Sequence, residues 1–239
     1  MPTINFTIGE IRALDSCGTG RYVALTFDDG PEIGSTEAIL DTLSCNNISA
    51  TFFVTPGNAQ LVGQSDAACE LISNMSNQGH SVQGHSYDHL SNTRDGLSIQ
   101  DVLQENKIVD DYIVTCGAPQ PQFYRPPFGE ITPEQLEAVS NFAVAAFWNV
   151  DSNDFRRQGP EVTFSNIVDH FENEVGLGES AVILMHDRNF LENQQVVQDV
   201  IDYFKDNEYT FVTIDECYAL CDGAVCDTAV PLLDILDEE

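Results

Sequence analysis

The sequence has few positively charged residues. Lysine and arginine together number nine, against 39 aspartates and glutamates, which gives a formal net charge of −30. Because nucleic acids and anionic membranes are bound through cationic side chains, this shortage argues against both as partners. An acidic surface tolerates a neutral ligand and attracts a polycationic one. The alternative, which we favour, is a salt-adapted or generally acidic secreted protein whose charge says nothing about its ligand.

The sequence also lacks long apolar runs. No uninterrupted stretch reaches the ~18 apolar residues of a membrane-spanning helix, so we expect no membrane span. The start of the chain contains no basic segment followed by an apolar one, so we expect no signal peptide within the printed sequence. The length of 239 residues suits one domain with a sizeable core. We therefore expect a monomer with a single domain over residues 1–239.

Cysteine, in contrast, is plentiful. Seven cysteines are more than a reduced cytosolic enzyme usually carries, and they predict disulfides in a secreted or cell-wall protein. Three Asn-x-Ser/Thr sequons add weak support for secretion. Because Cys17 precedes the first predicted strand, we expect it to bridge to the cluster at the other chain end, which consists of Cys217, Cys221 and Cys226. Cys45 and Cys69 are a second candidate pair.

Two adjacent aspartates follow the first apolar stretch. Residues 22–25 predict a buried strand, and residues 26–31 read Thr-Phe-Asp-Asp-Gly-Pro. Burying an unpaired carboxylate is costly, so Asp28 and Asp29 at a strand end indicate a cation, a shared proton or substrate chemistry. An ordinary Asp-Gly turn with solvated carboxylates is the alternative interpretation.

A pair of histidines four residues apart follows further along the chain, at His85 and His89. This spacing predicts that both rings lie on one face of a helical turn. Two histidines and one aspartate suit a Zn-type ion, and three protein ligands leave a position open for water, as in a catalytic site. We therefore expect Asp29, His85 and His89 to bind a divalent metal, preferably Zn²⁺, with Co²⁺, Ni²⁺ or Mn²⁺ as alternatives. A chance or surface pair of histidines is the other interpretation.

Five short motifs occur in the order typical of a known family. They are TFDDGP (26–31), HSYDH (85–89), RPPFG (125–129), DSNDF (151–155) and ILMHD (183–187). On these motifs the sequence resembles the polysaccharide deacetylases of carbohydrate esterase family four, also called the NodB homology domain, over about residues 20–215. The resemblance implies an α/β fold, a distorted (β/α) barrel of seven or eight parallel strands.

The pattern of apolar residues agrees with such a barrel. Strands are predicted at residues 22–27, 50–55, 81–84, 122–124, 142–147, 180–185 and 210–213. Helices are predicted at residues 36–43, 67–76, 99–114, 133–139, 164–174 and 194–205. This alternation is typical of a parallel sheet with crossover helices. An open doubly wound sheet is disfavoured, because no glycine-rich phosphate loop follows the first strand. The motifs fall at strand ends, where barrel enzymes carry their chemistry.

Residue types and the resemblance agree on the catalytic roles. If Asp29 binds the metal, Asp28 is available as the base that takes a proton from the attacking water. His186, on the last predicted catalytic strand, is expected to protonate the leaving amine. Arg125 is expected to keep Asp28 ionised, and Asp154 to keep His186 protonated.

The resemblance also implies that the backbone N–H of Phe128 holds the oxyanion. We expect Asp151 to support the same network, Leu184 to line the pocket for the acetyl methyl group, and Trp148 to flank the sugar groove. A buried core tryptophan is the alternative for Trp148. Phe128 and Phe155 depart from the family pattern, in which Tyr is common at the first position and Trp or Tyr at the second. The second departure changes the groove wall.

These features predict a metal-dependent hydrolase that removes N-acetyl groups from a β-1,4-linked N-acetylglucosamine polysaccharide. Chitin is the favoured substrate, because disulfides and sequons suggest a secreted eukaryotic enzyme. A peptidoglycan deacetylase and an acetylxylan esterase are alternatives, since the same attack serves an ester. A catalytically silent glycan-binding homologue is a further alternative, against which the intact Asp28 and His186 argue.

Overall fold

Parallel strands and helices alternate along the chain. The computed structural model describes residues 11–57, 65–188 and 194–221. The strands are β1 (Ala13–Leu14), β2 (Tyr22–Asp28), β3 (Thr51–Val54), β4 (Ser81–Gly84), β5 (Phe123–Tyr124), β6 (Val144–Ala146), β7 (Val150–Asp151), β8 (Ala181–His186) and β9 (Thr210–Phe211). The helices are α1 (Ser35–Asn46), α2 (Ser65–Asn77), α3 (Ile99–Thr115), α4 (Pro133–Val139), α5 (Pro160–His170), α6 (Gln194–Asp206) and α7 (Ile214–Leu220).

The strands form one curled sheet. Their order is β1-β6-β5-β4-β3-β2-β8-β7, and β9 pairs with the start of β2. Every registered pair of these strands is parallel. The helices pack outside the sheet and against one another, as α5 does on α6 and α1 on α2. This architecture confirms the expected NodB-like (β/α) barrel.

Side chains alternate between the two faces of the central strands. On β2, Phe27 belongs to the core between sheet and helices, whereas Ala24 belongs to a second cluster inside the barrel. Because successive side chains point to opposite faces, Asp28 shares the inner face with Ala24. On β8, Val182 lies in the inner cluster, and His186, four residues later, points to the same face of the strand. Asp28 and His186 are also direct partners in the β2–β8 register, so the sheet itself places them side by side.

The seven predicted strands and six predicted helices are present; β4 and α4 have the predicted bounds, and the ends of the others differ by up to four residues. The two-residue strands β1 and β7 and the short helix α7 were not predicted. Helix α5 begins at Pro160, four residues before the predicted start, and continues as a π-helical turn over Phe171–Val175. Within the described ranges, no helix combines the length and the apolar character needed to cross a membrane.

One disulfide joins the two ends of the barrel. Cys17, in the loop after β1, is bonded to Cys217 on α7, as expected. Cys221 is disulfide-bonded as well, and Cys226 lies outside the described residues. The Cys17–Cys217 bond lies in the inner core cluster, so it fixes α7 against that core.

The second disulfide differs from the expected one. Cys69 on α2 is bonded to Cys116 at the end of α3, so the expected Cys45–Cys69 pair is wrong. Cys45 is a free, exposed thiol on α1. Cys69 packs against the same buried cluster as Cys116, whereas the exposed Cys45 is not part of it, which explains the choice of partner.

Candidate active site

A cavity of about 330 Å³ opens at the carboxyl ends of the strands. Ten residues line it: Asp28, Asp29, His85, His89, Phe128, Trp148, Asp151, Phe155, Leu184 and His186. Of the predicted site residues, only Arg125 and Asp154 are missing from this lining, and both are buried and hydrogen-bonded to residues that do line it. The structure therefore brings together residues from all five sequence motifs.

Three of the lining residues form a candidate metal centre. Ligand atoms of Asp29, His85 and His89 all lie within 4.8 Å of one another. Oδ1 of Asp29 is 3.0 Å from Nε2 of His89 and 3.6 Å from Nε2 of His85. Although burial opposes ionisation, the hydrogen bond from His89 and the nearby imidazoles hold the pKa of Asp29 below its ordinary value. An ionised carboxylate and two imidazoles are a donor set that Zn²⁺ accepts.

The tautomer of His85 fits this role. Its Nδ1 is 2.7 Å from the carbonyl oxygen of Arg125, which can only accept a hydrogen bond, so Nδ1 carries the proton. Burial lowers the pKa of His85 to about 4, which leaves the ring neutral at pH 7. The lone pair of Nε2 therefore faces Asp29. Donation from the second ring nitrogen to a backbone carbonyl is the arrangement usual for metal-binding histidines.

The two histidines converge without a helix, so the expected helical turn is wrong. His85 and His89 lie in the loop after β4, and their ring centroids are 5.0 Å apart. His89 has a left-handed backbone, with φ of 54°. The loop is held by Glu105 of α3, whose Oε2 accepts hydrogen bonds from two successive backbone N–H groups of the loop. This anchor replaces the helical hydrogen bonds that the spacing predicted.

Asp28 is held by a buried arginine. Nη1 of Arg125 donates to Oδ1 of Asp28 at 2.8 Å and to Oγ1 of Thr26 at 2.7 Å. Its other nitrogens donate to two successive backbone carbonyls at the end of β6, and its guanidinium lies 4.1 Å from the ring centre of Phe53. Arg125 is fully buried, so its charge is compensated inside the protein chiefly by Asp28. The pair fixes the Asp28 carboxylate in the cavity next to a full positive charge.

His186 is held by a second carboxylate. Asp154 Oδ1 lies 2.7 Å from Nδ1 of His186, and Asp154 Oδ2 accepts the backbone N–H of the same residue at 2.7 Å. Burial alone would lower the pKa of His186, but the hydrogen bond to Asp154 and the charges of Asp154, Asp28 and Asp29 raise it to about 9. The ring is thus protonated at neutral pH, and its Nε2 remains to donate a proton into the cavity.

Aromatic side chains form the walls of the cavity. Phe128 and Phe155 are about half exposed, and their rings meet those of His89 and His186 edge-on. Trp148 both lines the cavity and packs against the inner core, so the two interpretations of this residue are each partly met.

Asp151 also faces the cavity. Its Oδ1 accepts the backbone N–H of Asn153 at 2.8 Å, and burial raises its pKa. Its own N–H donates to Nδ1 of His170, a histidine that matches no motif. His170 therefore has a structural role, as has the buried His80, whose Nδ1 accepts the N–H of Ala50.

Several contacts at the site could not be expected from the motifs. Nη1 of Arg188 donates to Oδ2 of Asp29 at 3.2 Å, on the side of the carboxylate away from the histidines. Arg94 lies over the ring of Phe128 at 4.4 Å and is ion-paired with Glu130 at 2.9 Å. Arginine is scarce in this chain. The position of Arg188 directly after the last motif is the one signal in the sequence that could have singled it out.

With this geometry in place, the chain can be compared with known proteins. A sequence model described as polysaccharide deacetylase matches residues 15–147, more than half of the chain. This chain belongs to the polysaccharide deacetylase family.

The family includes proteins that act on different glycans. A peptidoglycan-N-acetylglucosamine deacetylase of Listeria monocytogenes is 30% identical over 200 residues, which cover 84% of this chain and 39% of that protein. The chain therefore spans about two fifths of the length of that deacetylase. The chitin deacetylase of the fungal pathogen Colletotrichum lindemuthianum has a TM-score of 0.76 at 28% identity, covering 86% of this chain and 90% of that chain.

The fold also occurs without activity. A pseudoenzyme of the family from Bacillus anthracis superposes with a TM-score of 0.70 at 20% identity, over 83% of this chain and 65% of that chain. At this identity the likeness concerns the fold alone. Catalysis must therefore be argued from the side chains of the cavity.

Proposed function

We propose that this protein is a metal-dependent N-deacetylase of a β-1,4-linked N-acetylglucosamine polysaccharide. The observation that carries the proposal is that the Asp29, His85 and His89 group shares one cavity with a second carboxylate, Asp28, and an imidazole, His186, each held by a buried charged partner. Asp28 is paired with a buried arginine, and His186 is paired with a buried aspartate. Deacetylation needs both a base and an acid at one carbonyl group.

The metal centre supports hydrolysis. Asp29, His85 and His89 would hold the ion, and Zn²⁺ fits their donor set, although Co²⁺, Ni²⁺ and Mn²⁺ can use the same ligands. When bound, such an ion would supply a water of lowered pKa and polarise the acetyl carbonyl.

The side chains of the protein perform the proton transfers. Asp28 accepts a proton from the attacking water, and its carboxylate is oriented by the ion pair with the buried guanidinium of Arg125. The backbone N–H of Phe128, which has a left-handed φ of 61°, is the candidate donor to the developing oxyanion. His186 then protonates the leaving amine from Nε2, while Asp154 stabilises the imidazolium.

The cavity walls suit a sugar with an acetyl group. Leu184 is buried and lines the cavity two residues before His186, so it provides an apolar surface for the acetyl methyl group. The faces and edges of Phe128 and Phe155 bound the entrance, and their exposed halves are available for contact with sugar rings. Trp148 closes the floor by packing on Gly129, where an added Cβ would lie 3.1 Å from the indole.

Chitin is the substrate we favour. The formal net charge of −30 is compatible with this neutral glycan but does not select it. The likeness to the Colletotrichum chitin deacetylase supports the choice of chitin. Peptidoglycan is the second candidate, because the Listeria relative acts on it. The disulfides support a secreted or cell-wall location for either activity.

The test is acetate release from chitin oligomers, peptidoglycan and acetylated xylan, each with chelator and with added Zn²⁺. We expect chelator-sensitive release from chitin oligomers, and loss of both metal and turnover in His85→Ala. Release from peptidoglycan alone would replace chitin as the substrate. Absence of release from all three glycans by a protein shown to hold metal would overturn the proposal in favour of a silent binding homologue.

A further inference from the structure

The two oxygens of the Asp29 carboxylate have different partners. Oδ1 faces the imidazoles, 3.0 Å from Nε2 of His89. Oδ2 points the other way and accepts a hydrogen bond from Nη1 of Arg188 at 3.2 Å. Asp29 itself is buried, whereas the side chain of Arg188 is 32% exposed, so the arginine approaches from the rim of the cavity. The carboxylate is therefore held between the candidate metal centre and an outer cation.

Backbone geometry fixes the direction of this carboxylate. Asp29 follows the last residue of β2 and has a left-handed φ of 76°, and its N–H donates to the carbonyl of Phe53 at 3.2 Å. The backbone therefore fixes the direction of the Cα–Cβ bond, and the burial of Asp29 limits how its carboxylate can turn. A contact to one oxygen then decides which oxygen the histidines face.

We propose that Arg188 is a positioning residue that restricts Asp29 to binding the metal through one oxygen, Oδ1. A carboxylate can bind a metal through one oxygen or through both. With Oδ2 engaged by a guanidinium, only Oδ1 is available on the side of His85 and His89. Single-oxygen binding leaves more of the metal's coordination positions for water and for the acetyl oxygen, which is what a catalytic rather than a structural site requires.

Two simpler roles make different predictions. An ion pair at a protein surface contributes little, and if the Arg188–Asp29 contact were only that, its removal would leave the metal's surroundings unchanged. If Arg188 instead contacted the glycan, its removal would raise KM for the substrate and again leave the metal's surroundings unchanged. Only the positioning role predicts that removal of Arg188 changes the coordination number of the bound metal. Measuring that number therefore distinguishes positioning from the two simpler roles. This inference rests on the proposed metal-dependent function.

The experiment uses Co²⁺ in place of Zn²⁺, because the visible bands of Co²⁺ weaken as its coordination number rises. Arg188→Met removes the charge and keeps an unbranched side chain as long as the part of arginine up to Nε, and Arg188→Lys keeps the charge. The control is Arg21→Met, because Arg21 also lies beside β2 and also forms an ion pair, 3.4 Å from Glu208, but at the other end of the barrel. Melting curves establish that each variant is folded.

We expect Arg188→Met to weaken the Co²⁺ bands and to lower kcat about 10- to 100-fold with unchanged KM, the range typical of residues that orient a metal ligand. Arg188→Lys should restore part of both signals, and Arg21→Met should match the parent protein. Unchanged bands in Arg188→Met would overturn the proposal, whether KM stays constant or rises. If the parent protein gives the expected bands but releases no acetate, the proposed function fails while the bands still test Arg188. A parent protein that binds no Co²⁺ overturns both.

Discussion

Replacing Asp154 with asparagine tests the assignment of His186 as the general acid. Asp154 accepts hydrogen bonds from both Nδ1 and the backbone N–H of His186, each at 2.7 Å. Asparagine has one oxygen and one NH₂ group at these places, so it can accept only one of the two hydrogen bonds, and it carries no charge. The imidazolium then loses its main stabilising partner, and the pKa of His186 falls from about 9 toward its ordinary value of 6.5.

The size of the effect depends on pH. The acid form exists below the pKa and is lost as pH rises through it, so at pH 8 about 90% of His186 is protonated with a pKa of about 9, but only about 3% with a pKa of 6.5. Turnover should therefore fall by up to about 30-fold at pH 8 and by less than about two-fold at pH 6. The upper figure is a limit, because Asp28 and Asp29 continue to raise the pKa in the variant.

The assay is acetate release from chitin oligomers between pH 5 and pH 10, with the ring signals of His186 followed by NMR in the same buffers. Asp151→Asn is the matched control, because Asp151 also faces the cavity and is hydrogen-bonded to the backbone of Asn153 rather than to His186. It should leave the alkaline limb of the profile in place. An equal loss of turnover at pH 6 and pH 8 in Asp154→Asn would refute the role given to this pair.

Three further predictions concern the base, its partner and a disulfide. Asp28→Asn should lower turnover at least about 100-fold while metal content, measured by elemental analysis, stays unchanged; near-normal turnover would contradict the base assignment. Arg125→Met leaves Asp28 buried without its cation and should lower the free energy of unfolding in urea by about 3–5 kcal/mol, and a loss below about 1 kcal/mol would contradict this pairing. Replacing Cys69 and Cys116 by alanine opens a link of 47 residues and should cost about 4 kcal/mol in the same assay, with Cys45→Ala as the neutral control.

The strand-end motifs were predictable because chemistry restricts which residues can stand there. A buried strand that runs into two carboxylates needs compensating charge, and the structure provides it with Arg125 beside Asp28 and with imidazoles beside Asp29. Asp28 and His186 both end neighbouring parallel strands, and the sheet register places them side by side. The barrel and the composition of its cavity could therefore be expected from the sequence.

Local backbone geometry could not be predicted in the same way. The spacing of His85 and His89 is that of a helix, yet the loop is irregular and depends on Glu105, a partner far along the chain. Strands of two residues, such as β1 and β7, are too short to show any periodicity. Helix α7 did carry a signal, because Thr213 and Glu216 form a capping box at its start.

Contacts between residues far apart in the sequence were the hardest to predict. Cys69 could have reached several partners, and only the packing of α2 on the core selects Cys116 over Cys45. Arg188 shows the same limit. Its partner Asp29 lies in the first motif, far away in the sequence. Nothing in the spacing between these two residues indicates that a guanidinium would contact one particular oxygen of that carboxylate.

The alternation of side chains along β2 and β8 has a consequence for which sequence changes the site can tolerate. Asp28 and His186 are joined through the backbone ladder of the sheet, so the gap across which protons move is set by a rigid framework. His89 and Phe128 instead have left-handed backbones in turns outside that ladder, and the loop that carries His89 is anchored by Glu105 of α3. Loops of this kind can change in length and sequence without altering the framework. The distance between Asp28 and His186 is thus set by the sheet, whereas the positions of His89 and Phe128 depend on their loops, so we expect changes in loop length to alter the metal centre and the cavity wall before they alter the gap between Asp28 and His186.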